Sequence, residues 1–141
     1  MDFETRLRMI ERIVRDTPGF SIAVSTGGLY ADIAREAREL LGNSVDISLV
    51  MGRDAAERIA NWDYGRPGFF DDFVREYRLL VAARNGEYVP AARHAERITA
   101  LTMGRTWDDV SSTDVRRRIL EGNGWKHLVP SSIHDVVEML Y

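Results

Sequence analysis

Short apolar segments that alternate with helical patterns are the feature that most limits how this chain can fold. Residues 45–51 and 77–83 are largely apolar runs whose length and character are typical of buried strands. Residues 20–24 alternate apolar and small residues, and residues 97–101 form a shorter apolar run, so both are also predicted to be strands. Because helical patterns separate these segments, the sequence predicts an α/β fold with a mainly parallel sheet covered on both faces.

The helical segments carry apolar residues at three- and four-residue spacing. Asp2 is placed to cap the first of these segments, and Gly42 is placed to end the second. The second helix is predicted to turn four residues inward, namely Ile33, Ala37, Leu40 and Leu41. Together the patterns predict helices over residues 2–16, 30–41, 55–60, 69–76, 112–121 and 132–140.

Length and composition limit the class of protein. A chain of 141 residues with 45% hydrophobic and 29% charged residues suits one globular domain over residues 1–141. Its net charge of −3 gives no overall attraction for nucleic acid or an anionic membrane. The sequence contains no cysteine, which excludes disulfides, thiolate metal sites and cysteine nucleophiles. No apolar run reaches the roughly 20 residues that span a bilayer. We therefore expect a cytoplasmic protein without nucleic-acid or membrane partners.

A loop that turns into a helix at residues 109–118 has the composition of an anion site. Ser111, Ser112 and Thr113 lie at the turn, and Arg116 follows about one helical turn later. Helix N-termini carry free backbone N–H groups and partial positive charge, so hydroxyl groups and an arginine at this position can bind phosphate. The alternative is an ordinary capped surface helix, and this segment alone does not decide between the two.

The turn after the predicted strand at 45–51 suggests a second ligand-binding position. Gly52 lets a ligand approach the backbone closely, and the carboxylate of Asp54 can accept both hydroxyls of a ribose. Trp62 follows a short helix and can offer a flat face to a heteroaromatic ring. In the alternative interpretation, Asp54 caps the helix at 55–60 and Trp62 packs against its end. Spacing alone leaves both interpretations open.

Five segments, taken in order, resemble the motifs of one enzyme family. They are Phe3-x-x-Arg6-Leu7-x-Met9, Gly52-x-Asp54 with Trp62, Leu80-Val81-Ala82-Ala83-Arg84-x-Gly86, Val110-Ser111-Ser112-Thr113-x-Val115-Arg116 and Leu128-Val129-Pro130. By these motifs the chain resembles the nicotinate/nicotinamide-mononucleotide adenylyltransferases of the nucleotidyltransferase superfamily. The resemblance implies a Rossmann-like nucleotidyltransferase fold and extends over most of the 141 residues.

The resemblance also implies a reaction, its small-molecule partners and a set of ligand contacts. Family members use Mg²⁺ and transfer an adenylyl group from ATP to nicotinate or nicotinamide mononucleotide, a step of NAD biosynthesis. On this chain, Gly52 and Asp54 would hold the adenosine ribose, and Arg84 would lie near the adenine or the phosphates. Trp62 would stack on or border the pyridine ring. The ATP phosphates would be bound by Ser111, Ser112, Thr113 and Arg116.

One family motif is absent from the sequence. The family begins with a strand and a glycine-rich loop that carries an HxGH motif, and this chain contains neither HxGH nor HxxH. His94, His127 and His134 differ from that motif in spacing and context, and we predict that they are surface or hydrogen-bonded residues. We therefore assign no catalytic residue, and we expect little or no transfer activity from the chain alone.

Three explanations for the missing motif and first family strands stay open. The chain is a truncated or mis-started enzyme, a divergent homologue that kept nucleotide binding, or a part completed by a second chain or a second copy. Two alternative functions follow: a non-catalytic nucleotide-binding or interaction subunit, and a nucleotidyltransferase for another phosphorylated small molecule. Asp63-Tyr64-Gly65 beside Trp62 departs from the commonest family sequence and motivates the second alternative. A structural α/β domain without a ligand would require several spaced motifs to coincide by chance.

Overall fold

The computed structural model of the protein describes residues 1–83, 88–102 and 110–141. The described helices are α1 (Phe3–Arg15), α2 (Tyr30–Leu41), α3 (Arg53–Asn61), α4 (Phe69–Glu76), α5 (Ser112–Leu120) and α6 (His134–Leu140). The described strands are β1 (Ser48–Gly52), β2 (Arg78–Ala82) and β3 (Ile98–Leu101). None of these helices is long and apolar enough to cross a membrane.

The chain forms two compact units. The terminal unit combines Met1–Val24 with Asp109–Tyr141, and the central unit is Ser25–Asp108. The central unit contains the sheet, in which the three strands are parallel and follow the order β1-β2-β3. Met51 of β1 pairs with Val81 of β2, and Leu79 of β2 pairs with Ile98 of β3. The predicted α/β fold with a parallel sheet is confirmed.

The core of the central unit lies between one face of this sheet and the helices. Leu79 and Val81 alternate with exposed or partly exposed residues along β2, and both side chains have 0% exposure. The helices contribute Ala34, Ala56, Ile59, Phe73 and Val74 to the same cluster. In β1 only Met51 is buried, and Val50 is 63% exposed, so the expectation of a largely buried first strand is wrong. The reason is that Val50 lies on the face of the sheet opposite Met51, and no described strand residue on that face is buried.

Helix α2 has the predicted bounds but packs through different residues. Its contacts with the core come from Tyr30 and from small side chains spaced three apart, Ala31, Ala34 and Ala37. Leu40 and Leu41 are exposed and Ile33 is more than one-third exposed, so the prediction that these three face inward is wrong and only Ala37 is correctly placed. A row of alanines lets the helix approach its neighbours closely. Leu40 and Leu41 are the last two residues of α2, where the helix ends.

The segment at residues 20–24 is not a strand. No described strand pairs with it, and its apolar side chains are exposed, with Phe20 at 66%. Alternation predicts a strand only where another strand satisfies the backbone groups. The segment follows a turn at Gly19, whose φ of +85° lies in the region that glycine adopts readily.

The terminal unit has a small core of its own. Val115, Trp125, Ile133 and Val137 are buried together, and Met9 and Ile13 of α1 pack against them. The guanidinium of Arg12 donates to both carboxylate oxygens of Asp135 at 2.7 Å. This arginine lowers the pKa of Asp135 from its ordinary value. The predicted cap of α1 is confirmed, because Asp2 Oδ1 accepts a hydrogen bond of 2.7 Å from the backbone N–H of Thr5.

Candidate functional site

The turn from β1 into α3 places two of the predicted ligand-binding residues. Gly52 is both the last residue of β1 and the N-cap of α3, and a Cβ atom built on it would meet nothing within 4 Å. The backbone of Gly52 therefore faces open space, as close approach by a ligand requires. Asp54 lies exposed in the first turn of α3. Because Gly52 holds the cap position, the alternative interpretation in which Asp54 caps this helix is wrong.

Trp62 lies at the other end of α3, as its C-cap residue, and is 49% exposed. It borders a cavity of about 320 Å³, which we call the Trp62 cavity. This volume lies within the usual range for sites that bind small molecules. The lining comes from the segment before α2, from α3 and from the loop after α3, through Gly28, Leu29, Tyr30, Ala55, Arg58, Ile59, Trp62 and Tyr64.

Aromatic side chains give the Trp62 cavity its character. Tyr30, Trp62 and Tyr64 all line it, and such rings present flat apolar faces on which a heteroaromatic ring can stack. Tyr64 is held in place, since its hydroxyl donates to the carbonyl of Ile59 at 3.2 Å and its ring stacks on Phe69 with centroids 4.1 Å apart. Partial burial raises the pKa of the Tyr64 hydroxyl, so this group stays protonated at neutral pH. Arg58 is the one charged residue among the eight that line the cavity.

A carboxylate on α2 fixes the segment that leads into the Trp62 cavity. Glu36 accepts a hydrogen bond of 2.7 Å from the Thr26 hydroxyl and one of 3.1 Å from the Thr26 backbone N–H. Hydrogen bonds from Ser25 and Thr26 lower the pKa of Glu36 to about 2. Gly27 follows, where a Cβ atom would overlap the side chain of Asp32, so only glycine fits without displacing α2. These contacts position Gly28 and Leu29, which line the cavity.

Replacing Glu36 with alanine is expected to loosen this segment without unfolding the unit. The hydrogen exchange of the Thr26 amide should accelerate severalfold, because its backbone N–H loses the carboxylate that accepts its hydrogen bond. Hydrogen exchange measured by NMR would test this. Glu39→Ala is the matched control, since Glu39 lies on the same helix and pairs with Arg35 at 2.9 Å.

The restraint that Glu36 places on Thr26 depends on pH, because the pKa of Glu36 is lowered in the folded state. Because the pKa falls from 4.5 to about 2 in the folded state, the restraint is complete above pH 4.5 and is lost as the pH falls through about 2. Thr26 exchange that is already fast at pH 5 in the unmodified chain would contradict this.

A second cavity, of about 530 Å³, shares Trp62 and Tyr64 with the first but is more polar. Two of its lining residues are arginines that already have carboxylate partners. Arg66 lies 2.8 Å from Asp72, and Arg93 lies 3.4 Å from Asp71. Because these partners neutralise the arginines, the cavity has less attraction for an anionic ligand than its arginine content suggests.

His94 is buried beside Asp71, one of the residues that line the second cavity. Its Nε2 lies 2.6 Å from Asp71 Oδ1, and the ring of Phe70 contacts the imidazole edge to face. The hydrogen bond from His94 is the main reason why the pKa of Asp71 is lowered. His134 Nε2 also has two backbone partners, the carbonyls of Lys126 and Val129. The prediction of hydrogen-bonded histidines is therefore confirmed for these two residues.

The predicted phosphate segment opens α5, in the terminal unit. Ser111 is the N-cap, and its Oγ accepts a hydrogen bond of 3.1 Å from the backbone N–H of Asp114. Ser112 and Thr113 are exposed in the first turn. Ser111 therefore acts as an ordinary helix cap. The hydroxyls of Ser112 and Thr113 are exposed, and phosphate binding by them stays a prediction.

The three arginines of α5 differ in their partners. Arg117 and Arg118 both pair with Asp114, at 2.5 and 2.7 Å. Arg116 Nε donates to the carbonyl of Ser112 at 3.0 Å, and no carboxylate partner is found for it among residues 1–83, 88–102 and 110–141. Arg116 is exposed on the first turns of the helix, so its charge is available to an anion at the N-terminus.

Arg84, the remaining predicted contact, lies outside the described residues. Sequence reasoning did not identify Tyr30, Arg58, Tyr64 or Glu36 as residues of the site. Only Arg58 carried a usable signal, since it precedes Trp62 by four residues and so lies near the same side of α3.

Comparisons with known proteins identify relatives for most of the chain, although no protein-family model matches it. Over 146 aligned positions it is 24% identical to a protein of Dehalococcoides mccartyi, covering 96% of this chain and 69% of the relative. It is 27% identical to a Treponema pallidum protein, covering 94% and 70%. It is 28% identical to a Thermus thermophilus protein, covering 92% and 60%. All three relatives are named as probable nicotinate-nucleotide adenylyltransferases. The chain is therefore a homologue of the nicotinate-nucleotide adenylyltransferases, the family that its motifs predict.

Proposed function

We propose that this protein is a nucleotidyltransferase of NAD biosynthesis and that it binds the pyridine ring of a mononucleotide in the Trp62 cavity. The observation that carries the proposal is the composition of that cavity, which combines the rings of Tyr30, Trp62 and Tyr64 with one arginine. A pyridine ring with a charged substituent matches both features. The relatives' names support the same substrate class.

The proposed reaction is adenylyl transfer. A phosphate oxygen of the mononucleotide attacks the α-phosphorus of ATP, the bond to the bridging oxygen breaks, and pyrophosphate leaves. Such a reaction depends on positioning and on neutralising phosphate charge, so binding residues contribute most of what the protein supplies. We propose that Gly52 and Asp54 contact the adenosine ribose and that Arg84 lies near the adenine or the phosphates. The phosphates themselves are assigned to Ser111, Ser112, Thr113 and Arg116.

Family resemblance implies Mg²⁺, which would neutralise charge on the phosphate oxygens when bound. The described residues contain no group of three or more histidine, aspartate or glutamate side chains that could hold a metal ion. We therefore assign no step of the reaction to residues that hold a metal.

The proposal is tested by titrating the full chain with ATP and with nicotinate mononucleotide in a calorimeter. Binding of both ligands is expected, and Arg116→Ala should weaken ATP binding about tenfold while leaving the mononucleotide unaffected, because a charged hydrogen bond to phosphate is lost. Arg117→Ala is the matched control, since Arg117 already pairs with Asp114 and Glu121. Undetectable binding of both ligands at millimolar concentration would overturn the proposal.

Small-molecule nucleotides are thus the proposed partners. Three predictions from the sequence stay predictions: a single domain over residues 1–141, a cytoplasmic location, and a second copy or chain that completes the sheet. Gel filtration with light scattering would measure whether a second copy associates.

A further inference from the structure

Arg58 stands out in the Trp62 cavity by its charge. The other lining residues are glycine, aliphatic or aromatic, so Arg58 brings the one positive charge and no lining residue brings a negative one. It lies in the last turn of α3, one turn before Trp62, and its side chain is exposed. An aromatic cavity with one cation at its wall favours a flat ring that carries an anionic substituent.

The surroundings of Arg58 leave its charge available. Other arginines of α2 and α3 have carboxylate partners, such as Arg35 with Glu39 at 2.9 Å and Arg53 with Glu57 at 3.4 Å. In the part of the chain that the structure describes, no carboxylate lies within ion-pair distance of Arg58. On α2, Asp32 accepts from the Leu29 N–H at 3.4 Å and lies 3.9 Å from Arg35. Asp32 is therefore already engaged with other donors.

We infer that Arg58 is a specificity-determining residue, which makes the Trp62 cavity prefer a pyridine mononucleotide with a ring carboxylate over one with a ring amide. This inference rests on the proposed function. Both mononucleotides carry the same ribose and phosphate, so the ratio of their affinities isolates the contact to the ring substituent. A guanidinium offers a carboxylate two parallel charged hydrogen bonds, whereas an uncharged amide accepts through one oxygen.

The test is to measure dissociation constants for nicotinate mononucleotide and nicotinamide mononucleotide on the same protein. In Arg58→Met, the preference for nicotinate mononucleotide should fall about tenfold, with the affinity for nicotinamide mononucleotide nearly unchanged. Arg58→Lys should recover part of the preference, because it restores the charge without the planar fork. Raising the salt concentration should weaken nicotinate binding more than nicotinamide binding in the unmodified chain alone.

Arg35→Met is the matched control, since it removes an exposed arginine of α2 that does not line the cavity. The affinity ratio should not change in this variant. If Arg58→Met binds both mononucleotides with the original ratio, the inference is wrong and the proposed function stands. If the unmodified chain binds neither mononucleotide, the proposed function itself fails, and the inference fails with it.

Discussion

Replacing Trp62 with alanine is expected to weaken binding of nicotinate mononucleotide by between about tenfold and a hundredfold. The magnitude follows from the value of an aromatic platform, since stacking a base on an aromatic side chain is worth about 1–3 kcal/mol. Trp62 is 49% exposed and lies at the end of α3, so removing its ring should cost little folding stability. Titration calorimetry measures the affinity, and thermal denaturation checks that the fold is kept.

The conservative variant separates stacking from packing. Trp62→Phe keeps a flat ring at the same position and should retain most of the affinity. ATP binding serves as an internal control, because the proposed phosphate contacts lie on α5 and not in the Trp62 cavity. Equal affinities for the mononucleotide in the unmodified chain and in Trp62→Ala would show that the ring binds elsewhere.

Element ends could be predicted from the sequence because local contacts determine them. Asp2 caps α1 through a residue three positions away, and Gly42 ends α2 with a φ of +78° that glycine adopts readily. The bounds of α4, Phe69–Glu76, agree with the predicted helix for the same reason. Helix ends depend on residues that are close together in the sequence, so the sequence pattern alone predicts them.

Orientation and pairing could not be predicted, since they depend on distant residues. Residues 20–24 have the alternation of a strand but lack a described partner, and Leu40 and Leu41 have helical spacing but are exposed at the end of α2. Val50 is apolar and within β1, yet it lies on the face of the sheet where no described strand residue is buried. In each case the local spacing of apolar residues is present, but the residues that would pack against them in the fold cannot be read from that spacing.

In the candidate site, too, residues marked by local spacing could be predicted, and contacts between distant residues could not. Gly52, Asp54 and Trp62 were identified because they lie at the ends of one short helix, α3. The contact between Thr26 and Glu36 spans ten residues and that between Asp71 and His94 spans 23, so spacing gave no sign of either. The cavity emerges only when the segment before α2 is brought against α3.

Leu79→Ala is expected to have the largest effect on stability, with a loss of about 2–5 kcal/mol in the free energy of unfolding of the central unit. Leu79 lies in the middle strand, has 0% exposure and pairs in register with Leu49 and Ile98. Truncation removes apolar contacts and leaves a cavity that the strands on both sides cannot close by moving inward. Urea denaturation followed by circular dichroism and by the amide protection of β2 would measure the loss.

Val50→Ala provides the control for this prediction, because it also shortens an apolar side chain in the same sheet. Val50 is 63% exposed, so its truncation should change the free energy of unfolding by less than about 0.5 kcal/mol. The contrast between the two variants tests burial and not strand propensity, since both positions are in β-strands and both become alanine. Equal losses in the two variants would mean that the face of the sheet bearing Val50 is covered in solution, and the division into a buried and an exposed face would then be wrong.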